Sequence, residues 1–295
     1  TEDRASRMKP IILEINRLAA RFYHDTLKSP AGEPGRAYFA GRQLTPKTMV
    51  KYGLGYAPNS WDALRNYLKE KGFSYEQMAE AGVVNKGRSG GYYDAFRNRV
   101  MFPIIDLRKN VIGFGGRVLD DSKPKYLNTN DTLVFKKSRN LFSLNFAKNH
   151  TDGRLILAEG YMDVIAVNQA GFENVVATLG TALTPEQARL IAGYAKEVII
   201  AYDSDGAGRK ATDRAVGLLE EAGVSAKILQ LRGAKDPDEY IKKFGAQRFK
   251  LLLDGAGNVT AYRLGDIRSR YDLETPEGRS GYLTEALKYL ATLKS

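Results

Sequence analysis

The sequence predicts an α/β fold, α+β over the whole chain: a parallel sheet with helices on both faces, preceded by a basic α+β segment and followed by a helical one. Three observations predict it. Apolar runs at 155–158, 198–202 and 228–231 each lead into acids, namely Glu159, then Asp203 and Asp205, then Asp236 and Asp238, and short apolar runs stopped by polar turns read as buried strands. Strand-like runs at 155–158, 174–178, 197–202 and 224–231 alternate with helix-like stretches at 162–170, 184–195 and 207–222, the order of a parallel sheet with covered faces. Charge divides the same way, with 26 Lys and Arg against 14 Asp and Glu in residues 1–150, and 19 against 20 in the rest. We therefore expect segments at 1–150, 151–240 and 241–295.

Taken in order, residues 10–28 place Ile11, Ile12, Ile15, Leu18, Ala19 and Phe22 at amphipathic-helix spacing. SPAGEPG (29–35) interrupts them with turn formers, and 36–43 resumes as a short helix. Thr45 and Pro46 form a helix start, with the threonine capping and the proline in the first turn. Helical pieces follow at 61–71 and 75–81. The period then changes: 99–106 and 111–118 read as a hairpin turning at Arg108, Lys109 and Asn110. Gly113, Gly115 and Gly116 would weaken a plain strand, so they point to a bulge or a close neighbour. The polar joint 149–153 separates this half from the alternating strands and helices. Beyond Pro237 the pattern is helical, with pieces at 238–244, 247–253 and 275–293.

Composition excludes several chemistries. The chain has no cysteine and only His24 and His150 as histidines, so disulfides, thiolate sites and a histidine-rich zinc centre are out. A catalytic metal must then be held by oxygen, which favours magnesium or manganese. No long apolar run or leader peptide is present, so the chain reads as soluble and intracellular, without a membrane partner. The net charge of +11 lies in the first half, which fits either a polyanion-binding face or a merely solvated one. Basic residues interleaved with Tyr92, Tyr93 and Tyr126 suit single-stranded nucleic acid, although aromatics at strand spacing also build cores.

Each acid has an ordinary alternative as a helix cap. Together, Glu159, Asp163, Asp203, Asp205, Asp236 and Asp238 would crowd like charges into one crevice, which is costly unless cations neutralise them. DSDG (203–206) is not a calcium loop, because its glycine comes too early and no closing glutamate follows. GAGRKA (206–211) matches a dinucleotide pattern, but two aspartates stand where a pyrophosphate would approach. With divalent metal the same crevice becomes a phosphoryl-transfer centre, and Arg209 and Lys210 could offset charge on a triphosphate.

EGYMD (159–163), DSDGAGRKA (203–211) and KDPDEY (235–240) resemble the TOPRIM fold of topoisomerases, some nucleases and bacterial primases. EGYMDV, preceded by RNRVMFPI (97–104), GFGGRV (113–118), PKYLN (124–128) and FKK (135–137), is similar to the bacterial DNA primase family, from about Arg36 to Gly245. The resemblance implies a DNA-dependent RNA polymerase that makes short primers on single-stranded DNA from ribonucleoside triphosphates, leaving an RNA–DNA hybrid, in the bacterial cytoplasm at the replication fork. It implies Glu159, Asp203 and Asp205 as catalytic metal ligands for Mg2+ or Mn2+, with Asp163, Asp236 and Asp238 completing or orienting the set. Arg42, Arg97, Arg99, Arg117, Lys125, Tyr126, Asn128, Lys137, Arg209 and Lys210 would contact nucleotide and template. The zinc ribbon of full-length members is absent, and we expect contact with the replicative helicase only through a domain missing from this chain. A nucleic-acid-binding module with structural acids, or a strand-cleaving TOPRIM enzyme, are the other readings of the same residues.

Overall fold

The computed structural model describes residues 2–293. Its first half opens with α1 (Glu2–Lys28), α2 (Glu33–Gly41), α3 (Pro46–Lys51), β1 (Gly55–Ala57), α4 (Ala63–Glu70) and α5 (Tyr75–Glu80). β2 (Val84–Lys86), β3 (Tyr92–Asp94), β4 (Arg99–Ile105), β5 (Val111–Val118), β6 (Tyr126–Asn128) and α6 (Leu144–Ala147) follow. The second half runs β7 (Arg154–Ala158), α7 (Tyr161–Gln169), β8 (Val175–Ala177), α8 (Pro185–Ala192), β9 (Glu197–Ala201), α9 (Gly206–Glu221) and β10 (Ser225–Ile228). It closes with α10 (Pro237–Asp254), β11 (Gly257–Asn258), α11 (Val259–Ser269) and α12 (Pro276–Ala291).

The expected α/β architecture is present. A five-stranded sheet has the order β11-β10-β9-β7-β8, parallel throughout except for the antiparallel edge strand β11. In the first half an antiparallel sheet, β1-β4-β5-β6, carries the expected hairpin. Thr45 caps α3 by accepting from the Thr48 N–H, with Pro46 in the first turn.

Some boundaries differ from those the pattern predicts. α1 begins at Glu2 and continues through Pro10; the helix gives up one backbone hydrogen bond there, and its inward residues, Ile12, Ile15, Ala19, Tyr23 and Leu27, repeat at helical spacing. The fourth run, 224–231, contains a shorter strand, since β10 ends at Ile228 and the chain turns away toward Asp236. The helical pieces at 238–244 and 247–253 are one α10 broken at Gly245, whose φ of +84° suits glycine. Residue 240 lies inside that helix, so the expected division at 240/241 does not coincide with a chain break.

The two halves share one core. Phe39 and Phe102 from the first pack in the same apolar cluster as Ile156, Tyr161 and Phe249 from the second. The Tyr161 ring stacks on Phe102 at 5.0 Å between centroids and 6° between planes, and meets Phe142 edge-on. This answers what the glycines in β5 do: a Cβ at Gly115 would lie 2.5 Å from the Tyr161 ring. The glycine strand therefore seats the EGYMD turn against the basic half.

Candidate active site

Parallel pairing brings the acids together. Ala158 of β7 pairs with Ala201 of β9, and Ile228 of β10 pairs with Ile200, so the loops leaving these three strands emerge side by side. The Asp203 N–H donates to Glu159 Oε2 at 2.9 Å. Asp205 caps α9 by accepting from the Gly208 N–H at 2.6 Å, and Asp236 caps α10 by accepting from the Glu239 N–H at 2.8 Å. A Cβ at Gly208 would fall 2.0 Å from the Asp203 carbonyl oxygen, so glycine lets this turn close. Capping and pocket-facing are thus not alternatives here: Asp205 and Asp236 do both.

All six predicted carboxylates line one cleft of about 950 Å³, together with Arg42, Lys125, Tyr126 and Asn128. Burial, then the neighbouring Glu159, Asp236 and Asp205, push Asp203 up to about 7. Burial, then Asp236 and Asp203, hold Asp163 well above the usual carboxylate range. Crowded oxygens of this kind lower their energy by binding a cation, and an all-carboxylate set suits a hard divalent ion. Among the described residues no three His, Cys, Asp or Glu groups stand as a ready-made cage. A divalent ion that keeps several waters and takes only one or two carboxylates fits that arrangement.

Asp238 has a different occupation from the metal-binding one predicted. It is buried, and its carboxylate pairs with Arg42 Nη2 at 2.8 Å and Lys242 Nζ at 3.0 Å. It fixes a cation from the basic half against the acidic loops; Arg42 also lies 6.0 Å from the Tyr38 ring centroid.

The predicted basic residues divide. Arg42 and Lys125 face the cleft, and Arg117 pairs with Tyr126 across β5 and β6, its guanidinium 5.0 Å from the Tyr38 ring. Asn128 lines the cleft, but its side chain is already engaged: Nδ2 donates to the Leu179 carbonyl at 2.9 Å and Oδ1 accepts from the Tyr161 hydroxyl at 2.6 Å. Arg99 is corrected outright as a groove residue. It is 6% exposed and donates to the carbonyls of Gly116, Lys125 and Pro124, because a charge on the inner face of the sheet needs acceptors. Lys137 lies outside the cleft, in a short turn whose carbonyl accepts from Gln187 Nε2. Arg209 and Lys210 line a separate cavity beside α9, and Arg209 also lines a small one with Asp203 and Ser204.

Arg97 lines a second surface with Tyr93, both of which the sequence pattern names, and with Trp61, which it does not. Its guanidinium lies 3.8 Å from the Trp61 ring centroid and 5.5 Å from Tyr93, and Trp61 is 62% exposed. The signal was available: Trp61 is the one tryptophan in the chain. Lys235 and Lys242, also on the cleft wall, were missed because lysines beside acids read as ordinary surface pairs.

Residues 22–148 match the family model for the DNA primase catalytic core, N-terminal domain, and residues 156–241 match a Toprim-like model. The chain is 33% identical to the DnaG primase catalytic domain bound to ssDNA, covering 97% of this chain and 94% of that one with a TM-score of 0.81. The chain belongs to the bacterial DNA primase family. It is also similar to the RNA polymerase domain of Mycobacterium tuberculosis primase DnaG in complex with double-stranded DNA, at 30% identity and a TM-score of 0.88, over 97% of this chain and 93% of that one. A DNA primase from Clostridium acetobutylicum is 43% identical over 96% of this chain and 47% of the relative. The chain thus spans about half the length of the curated primases it matches. Residues 261–295 match the DnaB-helicase binding domain of primase, which is at odds with the expectation that helicase contact lies only in a domain missing from this chain. No described helix is long and apolar enough to cross a membrane.

Proposed function

We propose that this primase-family chain transfers ribonucleotides to a growing primer on a single-stranded DNA template, with Mg2+ or Mn2+ held by Glu159 and Asp203 and supported by Asp205, Asp163 and Asp236. The observation that carries this reading is one cleft lined both by carboxylates from three strand ends and by Arg42 and Lys125. Arg42, Lys125 and Lys242, which line this cleft, are the cations that would meet a triphosphate, and Asp238 would keep Arg42 in position before it arrives. Lys235, beside Asp236, adds a further cation at the rim. A bound divalent ion would activate the attacking 3′-oxygen and stabilise charge on the departing pyrophosphate. The Trp61–Arg97–Tyr93 group gives a template base a ring to stack on and a phosphate a cation. An RNA–DNA hybrid is the product, and bacterial cytoplasm at the replication fork is the setting.

Strand cleavage through a tyrosine is the less favoured reading. Burial, then the neighbouring Tyr38, pushes the Tyr126 phenol of this cleft up to about 12, which keeps it protonated at neutral pH. For the helicase, the family match favours a contact within 261–295, where Leu283, Leu287 and Leu290 form an exposed apolar stripe on α12.

The test is synthesis of labelled RNA on a single-stranded template with and without Mg2+ or Mn2+. Metal-dependent products of several nucleotides support the proposal. Template nicking without synthesis contradicts it.

A further inference from the structure

Residues of α11 and α12, with the first turns of α9, line a second, open cavity of about 780 Å³, within the range of ligand sites, roughly 300–1,000 Å³. Its acids are already matched: Asp213 pairs with Arg263, and Asp266 and Glu285 pair with Arg270. Arg209, Lys210 and Lys288, which also line it, have no carboxylate within ion-pair distance among the described residues. Tyr262 and Tyr289 present rings to the same space.

An adjoining cleft of about 590 Å³ shares Arg209 and Tyr262 and adds Arg232 and Arg268, again without ion-pair partners among the described residues. A small cavity of about 130 Å³, lined by Asp203, Ser204, Arg209 and Tyr262 among others, joins this surface to the acidic loop. The unmatched cations are thus divided between adjoining cavities that share Arg209 and Tyr262, and no single cavity holds them all. Unmatched cations spread over a surface that also carries tyrosines suit a polyanion of repeated phosphates and bases, whereas a single triphosphate would need them gathered together.

We infer that this surface is a second nucleic-acid contact, which takes the sugar–phosphate backbone of a strand passing the carboxylate centre and continuing over α9 toward α12. The direction of travel rests on the polymerase reading; the contact itself does not. It also gives Arg209 and Lys210 a different task from neutralising a triphosphate at the metal site.

The test is fluorescence anisotropy of a labelled RNA–DNA hybrid carrying a single-stranded template overhang, titrated over a range of salt without turnover. The variants are R209Q/K210Q/K288Q, its charge-keeping counterpart R209K/K210R/K288R, and a control, K9Q/K28Q/R108Q, that removes the same charge from exposed positions outside these cavities. The neutralised variant should bind on the order of 10-fold more weakly, with the salt slope reduced by about 0.7 for each phosphate that no longer meets a cation. The control should change little, and the charge-keeping variant should bind like the wild type. A weakening no larger than the control's overturns the inference. So does an equal weakening in the charge-keeping variant, or one confined to free nucleoside triphosphate. A wild-type chain that binds hybrid through this surface but makes no RNA would sink the polymerase reading alone.

Discussion

The two halves of the molecule treat charge in opposite ways. At the rim of the parallel sheet, carboxylates gather with few cations to answer them, and burial with Glu159 nearby lifts Asp203 to about 7. In the basic half, several of the arginines grouped by the sequence are engaged within the fold. Arg99 donates to three carbonyls, Arg97 lies on Trp61, and Arg117 donates to the Val118 carbonyl. The difference teaches that a site is marked by charge the fold leaves unmatched, and that a surplus counted along the chain does not locate it.

Four substitutions sharpen the contrast. On the proposed function, Asp203→Asn should lower primer synthesis by more than about 100-fold by removing a proposed metal ligand. Because it also removes a repelling charge, the melting temperature should hold or rise, as scanning calorimetry would record. Arg99→Ala should show the reverse: buried carbonyls lose their donors, and stability falls by roughly 2–4 kcal/mol in urea unfolding. Gly115→Ala drives a methyl into the Tyr161 ring and should cost about 1–3 kcal/mol in the same measurement. Activity should fall further than stability explains, since Tyr161 follows Glu159 in the same turn. Trp61→Ala should leave unfolding nearly unchanged and weaken single-strand binding by about 1–3 kcal/mol per stacked base; equal affinity would remove Trp61 from the template surface.

Much of this was legible in the sequence because the informative residues stand at element ends. Four apolar residues stopped by Glu159 read as a buried strand, and the same holds for the run before Asp203; it is the recurrence of acids at three such ends, not any one of them, that marks a site. The hairpin at 99–118 declared itself by period, and its glycines by their oddity. β1 and β6, with three residues each, are too short for alternation to show. The fate of Arg99 was illegible for another reason: an arginine on an inner sheet face and one in a groove have the same spacing, and only the carbonyls supplied by 116–125 tell them apart. Asp238 likewise reads as one more acid until Arg42, distant in sequence, is found against it. Arg209 and Lys210 follow Asp205 closely, yet they line a cavity with α11 and α12 and not the carboxylate cleft.

The central claim is that carboxylates from separate strand ends form one divalent-cation site. Titrating Mn2+ into the wild type and Asp203→Asn, with free ion followed by electron paramagnetic resonance, tests it without depending on synthesis. The account predicts saturable binding in the wild type that is lost or much weakened in the variant. Equal binding by both, or none by the wild type at millimolar Mn2+, would contradict it.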